Sequence, residues 1–553
     1  MRKERFAIVV SVIGLAFCAG AQSLNKEIKV ERDIVPEYRD ADRLPISPVI
    51  SLPAITRPEL KYSLVDRHVG VTPSLFTLPV GDPLIDEPAV YPGYASVGYM
   101  PLFNAGVSAG YRFIDTGKTA LGAWMQYNGR IYNSNLGDDA VYPNEKSNDY
   151  KEHTASLGVN LKHRTGADAI LTAFADYSYY HYSAPALLND SQGVNNVNTI
   201  LSWKKDGGEG LFYGVGGGFS RFAFINQNKC SDNNGQIYLY RAPIRQNKFN
   251  LNGATGINIS KESNADVGLD FTYLHTPMSV TDNVSATLNT WLLRLTPRYR
   301  YEVRDLSVDL GVKIDITHGG GKAFHIAPDV KAVYRPLGFL GVNFKAGGGE
   351  IQNTASSIYF DMPYMEQLIA YENSHVPLTL DAGLTVGPFK GAYLEIFGGW
   401  AKANEWIMPF GNASIGLAPV NVSGWHGGVV AGYRHSSTLE TKISAEFASG
   451  NNNIVHSYYL WRDRAKCVID ATVIYSPIEK LDLSLRYLLR GKRKAGNESL
   501  GSVNSANLGA KYKINDRVSV FLDGENLFNK RFHYIGGVPS QGITGLAGVT
   551  LKF

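Results

Sequence analysis

From about residue 93 to residue 553, apolar and polar positions alternate with a period of two. In Leu378–Val386 the even positions (Leu378, Leu380, Ala382, Leu384, Val386) are apolar, and Thr379, Asp381, Gly383 and Thr385 lie between them. In Leu481–Tyr487 the odd positions are apolar or aromatic. In Trp291–Tyr301 the odd positions are apolar or aromatic too, while Arg294, Arg298 and Arg300 share the other face. Successive side chains of a strand point to opposite faces, so this spacing predicts strands with one greasy and one wet side. Read this way, the chain predicts about 22 strands, the first over 93–99 and the last over 542–553.

The connections carry a second pattern. Tight links such as 115–118, 164–167, 335–338, 388–391 and 514–517 alternate with long ones at 133–152, 183–193, 224–239, 350–375, 403–423, 450–463, 491–502 and 528–541. Short turns on one side and long loops on the other are the habit of transmembrane β-barrels, which face lipid outward and water inward. In lipid an unpaired backbone N–H or C=O costs several kcal/mol, so such a sheet must close on itself. The predicted fold is all-β: a transmembrane antiparallel β-barrel of about 22 strands, with both termini on the periplasmic side. The final strand puts Val549, Leu551 and Phe553 on the lipid face and closes the barrel. Tyr177, Tyr179, Tyr299 and Tyr301 fall where aromatic girdles belong.

The first 92 residues break the pattern. Arg2, Lys3 and Arg5 precede an apolar run from Phe6 to Phe17 and the small residues Ala19-Gly20-Ala21, which predicts a signal peptide over 1–21. Residues 22–92 hold ten prolines from Pro36 to Pro92, each without a ladder donor, so this segment is expected to be extended and irregular. Its apolar residues, Val49, Ile50, Leu52, Leu75 and Phe76 among them, suit packing in the barrel lumen or at its periplasmic mouth. Residues 93–553 form the barrel.

Composition agrees with export to a membrane. Glycine (57) and tyrosine (32) are abundant and only 19% of residues are charged, which suits close strand approach and membrane interfaces. A net charge of +4 over 553 residues gives no case for nucleic acid. Cys230 and Cys467 are the cysteines left after the leader; they are a candidate disulfide, and spacing leaves their pairing open. No catalytic or cofactor motif stands out, and no enzyme activity or cofactor is expected. His325 reads as a polar lumen residue. Arg294, Arg298 and Arg300 form a cationic ladder, suited to anionic solutes, to Asp82, Asp86 and Glu87 of the N-terminal segment, or to acidic partners on neighbouring strands. Arg490–Lys494 opens a loop with charge suited to lipopolysaccharide phosphates, and Ser231–Gly235 has part of a calcium-loop pattern. The 350–375 loop is unusually apolar (Ile358, Tyr359, Phe360, Met362, Tyr364), so it either folds into the lumen or docks a partner.

Glu525-Asn526-Leu527-Phe528-Asn529-Lys530-Arg531-Phe532, followed by Gly545–Phe553, resembles the C-terminal end of TonB-dependent receptors. The resemblance implies a barrel in the outer membrane and a role in transport. Members of that family carry a folded plug before the barrel, larger than residues 22–92 allow, and Glu27–Glu31 is only a partial TonB-box pattern. The blocks Lys29–Tyr38 and Ala41–Pro45 resemble the start of plug-less, receptor-like barrels of Bacteroidetes-type bacteria. Two functions are therefore expected from different classes. One is a receptor-like barrel for transport. The other is a non-transporting subunit of an outer-membrane complex for barrel or surface-lipoprotein assembly. The expected partners are outer-membrane lipids, lipopolysaccharide, the barrel-insertion machinery and surface lipoproteins or other complex subunits.

Overall fold

The computed structural model describes residues 91–553, apart from 102–103, 135–147, 167–168, 185–190, 206–209, 227–228, 232–236, 240–242, 282–283, 362–371, 411–415, 436–437, 453–464, 496–497 and 536–537. The expected signal peptide, the Glu27–Glu31 pattern, nearly all of the Pro-rich segment, Asp82, Asp86 and Glu87 lie outside the described residues, as do the Cys230 side chain and most of Ser231–Gly235.

Twenty-two antiparallel strands form one sheet. They are β1 (Gly93–Met100), β2 (Asn104–Asp115), β3 (Thr119–Ser134), β4 (Asn148–Arg164), β5 (Ala169–Ser183), β6 (Ser191–Lys205), β7 (Leu211–Phe224), β8 (Arg245–Asn258), β9 (Ser263–Thr281), β10 (Val284–Val303), β11 (Leu306–His318), β12 (Phe324–Leu337), β13 (Leu340–Ile351), β14 (Ser374–Phe389), β15 (Ala392–Phe410), β16 (Gly416–His435), β17 (Leu439–Asn452), β18 (Cys467–Ile478), β19 (Leu481–Arg490), β20 (Val503–Lys513), β21 (Val518–Glu525) and β22 (Thr544–Lys552). Each pairs with the next in sequence, and β22 returns to β1. At that seam Val549 lies opposite Val97 and Leu551 opposite Ala95. Beyond the last ladder pair, Gly93 and Phe553 exchange backbone hydrogen bonds of 2.9 and 3.0 Å. Among the described residues, this sheet leaves no edge open to lipid.

The outer surface is what a bilayer requires. Leu157, Val159, Ile200, Val215, Leu251, Leu310, Ile443, Leu485 and Val549 are exposed. Aromatic pairs flank this aliphatic band. Trp203–Tyr213, Phe339–Phe389 and Tyr111–Phe553 lie toward the turn end, while Phe219–Phe249 and Phe271–Trp291 lie toward the loop end. Rings of this kind sit at the two headgroup layers and fix the barrel's height. Among the described residues no helix is long and apolar enough to cross a membrane.

Two loops are shorter than the hydropathy pattern predicts. The 133–152 connection begins only after Ser134 and ends at Asn148, and the 403–423 connection narrows to the gap between Phe410 and Gly416. Beyond the lipid both faces of a strand meet water, so the greasy alternation fades while the ladder continues. Asn133 and Asp149 show this, paired across β3 and β4 by a 2.9 Å side-chain hydrogen bond.

Candidate functional site

Barrel register brings distant residues into single rows on the inner wall. Arg294 on β10 stands opposite Asp270 on β9 and Asp315 on β11, and Asp315 stands opposite His325 on β12. Glu350 on β13 stands opposite His375 on β14, which faces Asn404 on β15. The neighbours of these side chains along their strands, Ile316, Phe324, Ile326 and Ile351, are exposed on the outer surface, so the row itself points inward.

Arg294 and Asp315 anchor the row. The guanidinium donates two hydrogen bonds to the carboxylate, at 2.6 and 2.9 Å, and a third to the Glu350 carbonyl at 2.7 Å. Asp315 in turn accepts the Glu350 backbone N–H at 2.7 Å. The Glu350 peptide is thus held from both ends by one fork-to-carboxylate pair. Glycine makes this approach feasible. Gly349 has φ +120°, and a Cβ there would lie 3.0 Å from Asp315 Oδ2 and 3.1 Å from Arg294 Nη2. At Gly348 a Cβ would lie 2.6 Å from the Val376 carbonyl. The ladder shifts register between Gly347 and Gly349, where Gly348 alone faces Pro377 and Leu378 of β14, and beyond the shift Glu350 stands opposite His375.

The result is a compact trio. Glu350 Oε2 lies 3.4 Å from His325 Nε2 and 3.3 Å from His375 Nδ1. The two imidazoles stack with centroids 3.8 Å apart. All three side chains are mostly or fully buried, and none of these three atoms has a hydrogen-bond partner. A buried polar atom left unpaired costs about 1–3 kcal/mol, so three converging on one point call for a ligand. Two histidines and one carboxylate are donors a transition metal accepts.

Above the trio the loop between β13 and β14 turns inward. Helix α1 (Ala355–Asp361) starts at Thr354, whose hydroxyl accepts the Ser357 N–H at 3.0 Å, an N-cap. Its first N–H, at Ala355, is taken by Gln246 of β8 at 2.8 Å. Ile358 and Tyr359 are buried in a cluster with Tyr132, Tyr150, Tyr182, Phe222 and Phe224. These rings alternate with the exposed Tyr177 and Val215 on their strands and therefore face the lumen. A loop rooted on β13 and β14 thus reaches β3–β7 and bridges the bore at the loop end. Of the two expectations for the 350–375 loop, lumen folding holds for Ala355–Asp361; Met362–Met365 lie outside the described residues.

The three ladder arginines share the inner face of β10, and each has an acidic partner: Asp315 for Arg294, Asp266 for Arg298 at 3.0 Å and Asp309 for Arg300 at 2.9 Å. Cys467 begins β18 and is half-buried. Sequence reading singled out His325 alone and missed Glu350 and His375. The available signal was the Gly347–Gly349 run at a strand end, since glycine inside a strand marks a bulge or a close approach.

No family model matches the chain, and no curated protein matches it by sequence. Its fold does match solved structures. A point mutant of the ferric enterobactin receptor PfeA of Pseudomonas aeruginosa, in complex with enterobactin, aligns over 83% of this chain and 81% of its own at TM-score 0.64 and 11% identity. The siderophore receptor PirA of Acinetobacter baumannii aligns over 84% and 81% at TM-score 0.66 and 10% identity. An apoprotein form of the FrpB iron transporter of Neisseria meningitidis aligns over 84% and 81% at TM-score 0.66 and 11% identity. The fold is a closed 22-stranded antiparallel β-barrel, shared with these solved structures.

Proposed function

We propose that the chain moves a solute across the outer membrane as a receptor-like barrel, with its long loops outside and both termini in the periplasm. The observation that carries this reading is the inward loop. A helix tied to the wall by Gln246 and by the Tyr359 ring cluster lies across the bore at the loop end. A barrel used only as a wall has no need to bridge its own lumen, whereas a solute path needs a constriction. Residues 22–92, after a 1–21 leader, complete the proposal as a Pro-rich segment in the lumen or on its periplasmic side. Lipid and lipopolysaccharide surround the barrel, the insertion machinery delivers it, and surface lipoproteins are partners for capture. The chemistry is passage rather than catalysis.

Planar-bilayer recordings test the proposal. The full chain is expected to conduct weakly, and deletion of residues 22–92 or of 352–373 to raise conductance. Conductance near zero in all three, together with stoichiometric recovery of the barrel-insertion machinery in a mild-detergent pull-down, would replace transport with an assembly role.

A further inference from the structure

We propose that His325, Glu350 and His375 bind one divalent transition-metal ion of the zinc class, and that this ion fastens the roots of the inward loop to β12. The donor set is two imidazole nitrogens and one carboxylate oxygen, an intermediate set that suits zinc, cobalt and their neighbours rather than calcium or magnesium. The spacing fits as well. Ligands about 2.1 Å from a tetrahedral ion lie about 3.4 Å from one another. Glu350 Oε2 stands 3.4 and 3.3 Å from the two histidine nitrogens, and all three atoms fall within 4.8 Å of one another.

A plain hydrogen-bonded trio does not account for the contacts. Each of the three atoms is buried without a hydrogen bond, and all lie within 4.8 Å of one another. The surroundings are those of a held ligand. Glu350 is fixed through its backbone by Asp315 and Arg294. Gly321 leaves space beside Glu350: a Cβ there would lie 3.7 Å from both Glu350 Oε1 and Glu405 Oε2, so a second carboxylate or a water can complete the set.

The location gives the ion a job. Glu350 is the penultimate residue of β13 and His375 the second residue of β14, the two roots of the loop that carries α1. Bound together with His325 they clamp that loop at its base. The inference concerns the protein's own resident ion and stands whether or not the barrel transports a solute.

The test uses full-length protein with a histidine-free tag in the 491–502 loop, stripped with EDTA in mild detergent. Zn²⁺ titration against a chromophoric chelator is expected to show one tight equivalent, and Co²⁺ to give the visible absorption of a tetrahedral site. Glu350→Gln, His325→Ala and His375→Ala should each weaken Zn²⁺ binding at least a hundredfold. His426→Ala, which removes a histidine beside Asp381 on another part of the wall, should leave it unchanged. Zn²⁺ should also slow proteolysis within 352–373. Absence of a cobalt spectrum and less than half an equivalent of zinc in the wild-type protein would overturn the site, as would variants that bind zinc like wild type. If the variants fail to show heat-modifiable gel migration, the wild-type cobalt spectrum decides alone.

Discussion

A single glycine sets the geometry of the inner wall. Gly349 sits at φ +120°, wedged against Asp315 and Arg294. Gly349→Ala combines backbone strain with a steric clash and is expected to cost about 1–3 kcal/mol, read as a lower temperature for loss of the compact band in heat-modifiability gels. Asp315→Ala goes further, because it leaves Arg294 without its buried partner; about 3–5 kcal/mol is expected. The double variant Arg294→Met with Asp315→Ala should recover part of that loss, and a double variant no better than the single would show that the pair is not the coupled unit. At this scale the sequence was only partly legible. The inward side of Arg294, Arg298 and Arg300 follows from their spacing, and His325 reads as polar and lumenal. What could not be read was the register joining residues 325, 350 and 375, since no local pattern shows that Gly348 faces two residues of β14.

Among elements, α1 departs most from the surrounding sheet. Its helix follows from local chemistry: a Thr354 cap, a Gln246 acceptor for the first free N–H, and Ile358 and Tyr359 placed for burial. The apolar character of 350–375 was plain in the sequence, but its destination was not, because the cluster that receives it comes mainly from β3–β7, with Ile407 of β15. Tyr359→Ala empties the centre of that cluster, where its ring stands 5.4 Å from Phe222 and 5.8 Å from Phe224. Large-to-small aromatic changes in cores cost about 3–5 kcal/mol. Here the loss is expected to be local, with faster protease cleavage inside 352–373 and a barrel that still resists SDS at room temperature. Global loss of the compact band would mean that the loop supports the wall rather than rests against it.

For the molecule as a whole, the period-two pattern and the alternating connections were enough to define a closed barrel of about 22 strands. The physics of lipid permits few alternatives: with every N–H and C=O needing a partner, length, pattern and turn spacing converge on one architecture. The seam shows how that closure is held outside and in. Val97, Val549 and Val520 line up on the lipid face, and the Ser96 and Thr550 hydroxyls meet at 2.8 Å on the inner one. Val549→Lys places a charge on the lipid face a few residues from the turn end, where about 1–2 kcal/mol is expected, less than at mid-membrane. Urea unfolding in lipid vesicles should show this, and a null effect would move Val549 out of the lipid.

That seam has a kinetic consequence. Every other ladder of the wall joins neighbours in sequence, but Ser96 and Thr550 are 454 residues apart. Contacts this distant form late and slowly, because their ends must find one another across a loop that holds nearly the whole barrel. Twenty-one of the strand pairings can zip from hairpins, yet none removes the two bare edges. Until Phe553 reaches Gly93, β1 and β22 remain open templates for any other strand, so this closing contact decides when the barrel is safe from aggregation.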